Sequence, residues 1–129
     1  MKFHSREQFW NWIKGRDCWL LTGDLGYPLV ETYKPKYFIN CGVIEQTMAG
    51  IATGLALSGK EVYIYSGATF LNYRCIEAIR NAWMQGLNVK VVATGASGFL
   101  GDSHNFRKGE VEPLEVLSKF LKNKNYIRL

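Results

Sequence analysis

The sequence predicts an α/β fold: a parallel β-sheet covered by helices on both faces, in three layers. Three observations carry this. Four short apolar runs, at 18–23, 37–43, 61–67 and 88–95, lack the polar alternation of a half-exposed strand and read as strands buried on both faces. Segments with helical spacing alternate with them, the order expected of βαβ units. Polar or Gly-rich stretches follow the runs, "TGDLG", "GVIEQ", "SGATF" and "TGASGFLGDSH". In a parallel sheet all four fall on the carboxyl edge, where ligands bind.

The elements follow in order. Ser5 and Gln8 form a capping box ahead of Phe9, Trp12 and Ile13 at helical spacing, and Gly15 is placed to end that helix. "CWLLTG" is the first strand and "YFINCGV" the second. Residues 45–58 form a helix of small and aliphatic residues stopped by Gly59. "EVYIYSG" is the third strand, and one helix over 72–85 sets Tyr73, Ile76, Ile79 and Trp83 on one side before Gly86. "NVKVVATG" is the fourth strand. Pro113 opens a helix with Leu114, Leu117, Phe120 and Leu121, and "YIRL" is a last short strand. The 129 residues fit one domain over 1–129.

Composition narrows the function. The net charge is +5, but the basic residues are scattered and not interleaved with aromatics, so no nucleic-acid partner is expected. No apolar run approaches the roughly 18 residues of a membrane span, and "MKFHSREQFW" lacks the apolar segment of a signal peptide. A cytoplasmic protein without a membrane partner is the expectation. The three cysteines, Cys18, Cys41 and Cys75, are far apart, which argues against a disulfide framework or a zinc site. There is no phosphate-binding G-x-x-x-x-G-K-[ST] motif, and "GASGFLG" is not the dinucleotide fingerprint.

One residue stands out. Glu45 lies between the run 37–43 and the helix 45–58, with apolar residues on both sides. An ionised carboxylate is costly to bury without a partner. It serves either as a helix N-terminal carboxylate held by first-turn amides or as a group reserved for a ligand.

The stretch "FINCGVIEQTMAGIATGLALSGK" resembles the pyrimidine-binding (Pyr) domain of the transketolase family of thiamine diphosphate enzymes. The resemblance continues through "YIYSGATFLNYRCIEAIRNAW" and "LNVKVVATG", includes "LLTGDLG" upstream, and covers about residues 18 to 104. It implies thiamine diphosphate as cofactor. In that family a glutamate bonded to the aminopyrimidine ring shifts the ring's tautomer and so activates the cofactor, a role that needs a carboxyl group able to share its proton. Glu45 occupies that position. Phe70 and Tyr73 fall where family aromatics hold the ring; the third aromatic of some members is Ile76 here. Tyr73 and Ile76 also fit the core side of an amphipathic helix. Asp24 in "TGDLG" falls where acidic residues border the cofactor cleft, or begins an Asx-type turn before Gly26. His104, in Gly101-Asp102-Ser103-His104, matches a histidine that faces substrate, or is an exposed loop residue. The acidic pair expected after it is replaced by Lys108 and Gly109, with Glu110 and Glu112 arriving later.

The resemblance also implies missing parts. The family's diphosphate-binding domain holds a metal through a G-D-G sequence and a later asparagine, and this chain has no G-D-G. The implied protein is a Pyr subunit of a split transketolase-like transferase of two-carbon units, acting on sugar-phosphate-like molecules. Magnesium would sit on a separate diphosphate-binding partner chain, in a homo- or hetero-oligomer. The helix with Gly50 and Gly54 would allow close approach of another chain. A non-catalytic binding or assembly module on the same fold is the alternative, and an unrelated parallel α/β ligand-binding domain the third reading.

Overall fold

A computed structural model describes residues 2–96 and 102–129. It contains a five-stranded parallel sheet of β1 (Trp19–Thr22), β2 (Tyr37–Asn40), β3 (Val62–Gly67), β4 (Val89–Thr94) and β5 (Tyr126–Arg128), in the order β2-β1-β3-β4-β5. All four pairings are parallel, with Thr22 level with Asn40 on one side and Tyr65 on the other. Two helices, α1 (Arg6–Ile13) and α2 (Leu29–Tyr33), cover one face. The other face carries α3 (Glu45–Leu57), α4 (Ala68–Arg74), α5 (Ile76–Met84) and α6 (Pro113–Phe120). The three-layer α/β expectation is therefore met.

Alternation along each strand divides the core. Leu21, Val62, Ile64, Val89 and Val91 face α3 to α6, with Met48, Ala52, Leu71, Ile79 and Trp83 packed on them. Leu20, Tyr63, Tyr65 and Val92 face α1, where Phe9, Trp10 and Ile13 complete an aromatic cluster. Phe9 stacks on Tyr65 with ring centroids 6.0 Å apart, and Trp10 meets the same tyrosine edge-on at 5.4 Å. Each such large apolar side chain contributes roughly 1.5–3 kcal/mol through burial. Exposed ion pairs such as Lys36–Asp17 and Lys119–Glu115 add only about 0–1 kcal/mol each, less than one such side chain.

The helix ends show local chemistry. Ser5 caps α1, its hydroxyl accepting from Gln8 N–H at 3.1 Å, while the Gln8 side chain accepts from His4 N–H at 2.8 Å. Gly15 is not the helix stop expected of it: Lys14 ends α1 in right-handed geometry. The single helix expected over 72–85 is two. Cys75, with φ −113° and ψ 1°, separates α4 from α5, and α4 starts directly after the last residue of β3. Tyr73 and Ile76 are both exposed and belong to no core face; Cys75, Ile79, Ala82 and Trp83 are the buried set. The short helix α2, between Pro28 and Pro35, has no counterpart in the sequence reading.

A buried amide fixes α4 in place. Asn72, fully buried, donates to Ala68 O at 2.8 Å and to the Tyr126 hydroxyl at 3.0 Å, and accepts from Leu114 N–H at 2.7 Å. The Tyr126 hydroxyl in turn donates to Glu112, which pairs with Arg128 at 2.9 Å. Burial first, and then the bond to Glu112, push the Tyr126 phenol up from its ordinary value. One side chain therefore joins α4, α6 and β5.

Candidate active site at the carboxyl edge of β1 and β3

The order 2-1-3-4-5 places a topological switch point between β1 and β3, where successive connections leave toward opposite faces. The chain after β1 leads to α2 on one face, and β3 runs into α4 on the other. Glu45 is the first residue of α3 and stands at this point. Its carboxylate lies beside Gly23, just past β1, and Ser66 of β3: a Cβ built on Gly23 would meet Ser66 Oγ at 3.0 Å and Glu45 Oε1 at 3.5 Å. A side chain at Gly23 would therefore crowd Ser66 Oγ, with the carboxylate at ordinary contact distance beside it.

Glu45 is 2% exposed. Its partner is Arg74, the last residue of α4, whose Nη1 donates to Oε2 at 3.1 Å. The other oxygen, Oε1, and the neighbouring Ser66 Oγ are buried without a hydrogen-bond partner. The Cys75 thiol donates to Glu45 O at 3.2 Å. Burial, followed by the negative charge of Glu45, pushes that thiol up to about 12, so Cys75 is a structural donor rather than a nucleophile. Burial likewise raises the Cys18 and Cys41 thiols. The N-terminal end of α3 differs from the sequence expectation of buried flanks: Val43 and Ile44 are exposed, because β2 is an edge strand.

Around Arg74 the aromatic residues gather. The guanidinium carbon lies 4.5 Å above the Phe70 ring, a cation–π distance. The His104 ring meets Phe70 edge-to-face at 5.0 Å. The Thr69 hydroxyl donates to His104 O at 2.7 Å and fastens the short 3₁₀ turn Asp102–His104 to α4; Gly101 of the predicted motif lies outside the described residues. Tyr73, one helical turn beyond Phe70, is 54% exposed. Its ring sits 6.1 Å from Phe106 and its hydroxyl donates to Glu110. That bond holds the Tyr73 phenol above and the Glu110 carboxyl below their ordinary values. Glu110 also accepts from Arg107 N–H at 2.9 Å.

The structure thus brings Glu45 and Phe70 to Arg74, with His104 against Phe70 and Tyr73 on the same helix. Asp24, which follows Gly23, is engaged by Asn40. Its carboxylate accepts from Asn40 Nδ2 at 3.2 Å, and its N–H donates to Asn40 Oδ1 at 3.0 Å. This reciprocal pair across β1 and β2 replaces the Asx-type turn considered from sequence. Asp24 has φ 61°, a left-handed geometry that aspartate tolerates better than most residues. Arg74 and Ser66 are the two site residues that sequence reasoning missed. Among the described residues, no three His, Cys, Asp or Glu side chains gather as a metal cluster. No helix among them is long and apolar enough to cross a membrane.

A parallel α/β domain with a buried carboxylate at its switch point and aromatics on the adjoining helix defines a ligand-binding class of domain. Comparison with known proteins makes it specific. The family described as transketolase, pyrimidine binding domain, matches residues 10–105, and the chain belongs to it. A protein of Methanocaldococcus jannaschii named as a putative transketolase C-terminal section is 46% identical over 69 residues, 53% of this chain and 22% of that one. A protein of Phocaeicola vulgatus, named as one of the subunits of an apulose-4-phosphate transketolase, is 38% identical over 76 residues, 55% of this chain and 24% of that one. A solved structure titled as a split gene transketolase, inactive β4 tetramer, aligns with a TM-score of 0.63 and 26% identity, over 95% of this chain and 49% of that one. The chain accordingly spans about a quarter of these two curated relatives and half of the solved one.

Proposed function

We propose that this chain is the Pyr subunit of a split, thiamine diphosphate-dependent, transketolase-like transferase, in which Glu45 binds the aminopyrimidine end of the cofactor. The observation that carries the reading is the Glu45 carboxylate itself. It is buried at the switch point, and one of its oxygens is left without a partner by its own chain. A buried polar atom without a partner is costly, and such atoms recur where a ligand completes the site. Phe70, half-buried beside it, offers an aromatic face. These residues fit a flat heteroaromatic ring: an in-plane partner from Glu45 and a stacking partner from Phe70.

When bound, thiamine diphosphate supplies the carbon nucleophile of ketol transfer. This chain's part is to orient the ring and to hold a proton at Glu45, where it can be shared. His104, held against Phe70, faces the substrate side. The partner is a separate chain that binds the diphosphate and magnesium, in a homo- or hetero-oligomer, and the substrates are sugar-phosphate-like molecules. A relative named as one subunit among others and a neighbour titled as split gene support a two-chain assembly.

The test is reconstitution. Mixing the chain with its diphosphate-binding partner, thiamine diphosphate and magnesium should give two-carbon transfer from a ketose phosphate to an aldose phosphate, and each chain alone should give none. A mixture that binds cofactor without turnover would favour the non-catalytic assembly module instead. Within the active mixture, His104→Ala should lower turnover by about 10- to 100-fold while thiamine diphosphate affinity stays within about twofold. Loss of cofactor affinity with intact substrate kinetics would assign His104 to the ring instead.

A further inference from the structure

Arg74 touches both groups assigned to the aminopyrimidine ring. Its Nη1 holds Glu45 Oε2 at 3.1 Å, and its guanidinium carbon lies 4.5 Å over Phe70. We propose that the Arg74 side chain occupies the ring's own seat and acts as a displaceable plug, so that the site opens only when a ligand replaces it on Glu45. The inference rests on the reading of Glu45 and Phe70 as the ring-holding residues.

Three features carry it. A guanidinium is flat, with N–H donors in its plane and two faces for stacking. An aminopyrimidine presents the same pair of recognition elements, so the seat that suits one suits the other. With the arginine in place the Glu45 side chain is 1% exposed and its Oε2 is taken by Arg74 Nη1, so a ring cannot take that place until Arg74 leaves. Finally, the two partners differ in freedom. Arg74 is 44% exposed and ends α4 at the break before α5, so its long side chain borders water into which it can turn. Glu45 cannot follow.

The asymmetry makes the plug selective. If Arg74 turns away alone, a buried carboxylate loses its countercharge, which is strongly unfavourable. If a ligand with an in-plane N–H donor and a stacking face arrives, Glu45 gains a new partner and the penalty vanishes. Ligands that lack either element do not offset the exchange. Glu45 Oε1 and Ser66 Oγ make no hydrogen bond while the arginine is in place, so the carboxylate keeps an oxygen in reserve for the incoming ring.

The experiment uses the purified chain and the ring alone, 4-amino-5-hydroxymethyl-2-methylpyrimidine, at millimolar concentration. Binding is followed by NMR with ¹⁵N-arginine labelling, the Arg74 Nε–H signal being assigned by its absence in Arg74→Met. In the wild type, saturation with the ring should shift the Arg74 signal toward that of a free, solvated arginine. Arg74→Met, which removes the plug and keeps an apolar stem, should bind the ring about tenfold more tightly. Adding Glu45→Gln or Phe70→Ala to Arg74→Met should erase the gain. If Arg74→Met binds the ring no better than the wild type while Glu45→Gln abolishes binding, the plug is wrong and the ring site stands. If neither Glu45→Gln nor Phe70→Ala changes ring binding in either background, the ring site itself is wrong. Should Arg74→Met fail to fold, the wild-type signal decides: an Arg74 Nε–H unmoved at saturation overturns the plug.

Discussion

Glu45→Gln is expected to lower turnover of the assembled enzyme by about two orders of magnitude or more, with little change in fold. The amide occupies the same volume beside Gly23 and Ser66, where the carboxylate is packed, and its oxygen still accepts from Arg74 Nη1, which now donates to Glu45 Oε2 at 3.1 Å. What the amide cannot do is take up and return a proton. Arg74 loses a countercharge but is half exposed, so water replaces the lost interaction. The two effects separate cleanly. Thermal unfolding of the variant chain should stay within a few degrees of the wild type, and steady-state turnover of the reconstituted mixture should collapse. Turnover close to wild type, in a variant shown to be folded, would remove Glu45 from the chemistry.

The parts of this fold that sequence revealed are those encoded by local pattern. The runs ending in Thr22, Gly67 and Thr94 are apolar on both faces because both faces are covered, and their continuity marks them as parallel strands. The break at Cys75 was invisible for a related reason. Ile79 and Trp83 bury the same core that Ala68 and Leu71 begin, so the apolar pattern runs on across two helices as if they were one. The helix α2, five residues beginning just after Pro28, is too short to show a period. The site was half legible. Glu45 could be singled out because a carboxylate between apolar residues conflicts with its surroundings. Its partner could not, because Arg74 is brought to it by the packing of α4 against α3, with no spacing signal across the 29 positions that separate the two. The Asp24–Asn40 pair is hidden likewise: it depends on the register that sets Thr22 level with Asn40.

The chain alone is expected to bind thiamine diphosphate weakly and to turn nothing over, and a diphosphate-binding chain should restore both. The reasoning follows from what each end of the cofactor needs. The charged diphosphate and its metal require oxygen ligands and clustered N–H donors. The groups this chain gathers at the switch point suit the other end: one carboxylate, one aromatic face and a histidine. The ring end is small and neutral, and limited binding energy per atom keeps its affinity weaker than about micromolar. Displacing Arg74 from Glu45 lowers it further. An exposed apolar surface runs along α3, which begins at Glu45. Val43 and Ile44 are exposed just ahead of α3, as are Ile51 and Leu57 along it. A Cβ at Gly50 or Gly54 would meet nothing within 4 Å, so nothing described in this chain fills the close approach those glycines permit. Isothermal titration of the purified chain with thiamine diphosphate and magnesium should therefore give little heat, and the same titration with the partner present should give a tight, magnesium-dependent isotherm. Substituting Gly54 by a bulky residue such as Trp should weaken that isotherm through loss of the second chain, read independently as a smaller assembly in sedimentation. Tight, magnesium-dependent binding by this chain in isolation would overturn the two-chain enzyme, because one chain would then hold both ends of the cofactor.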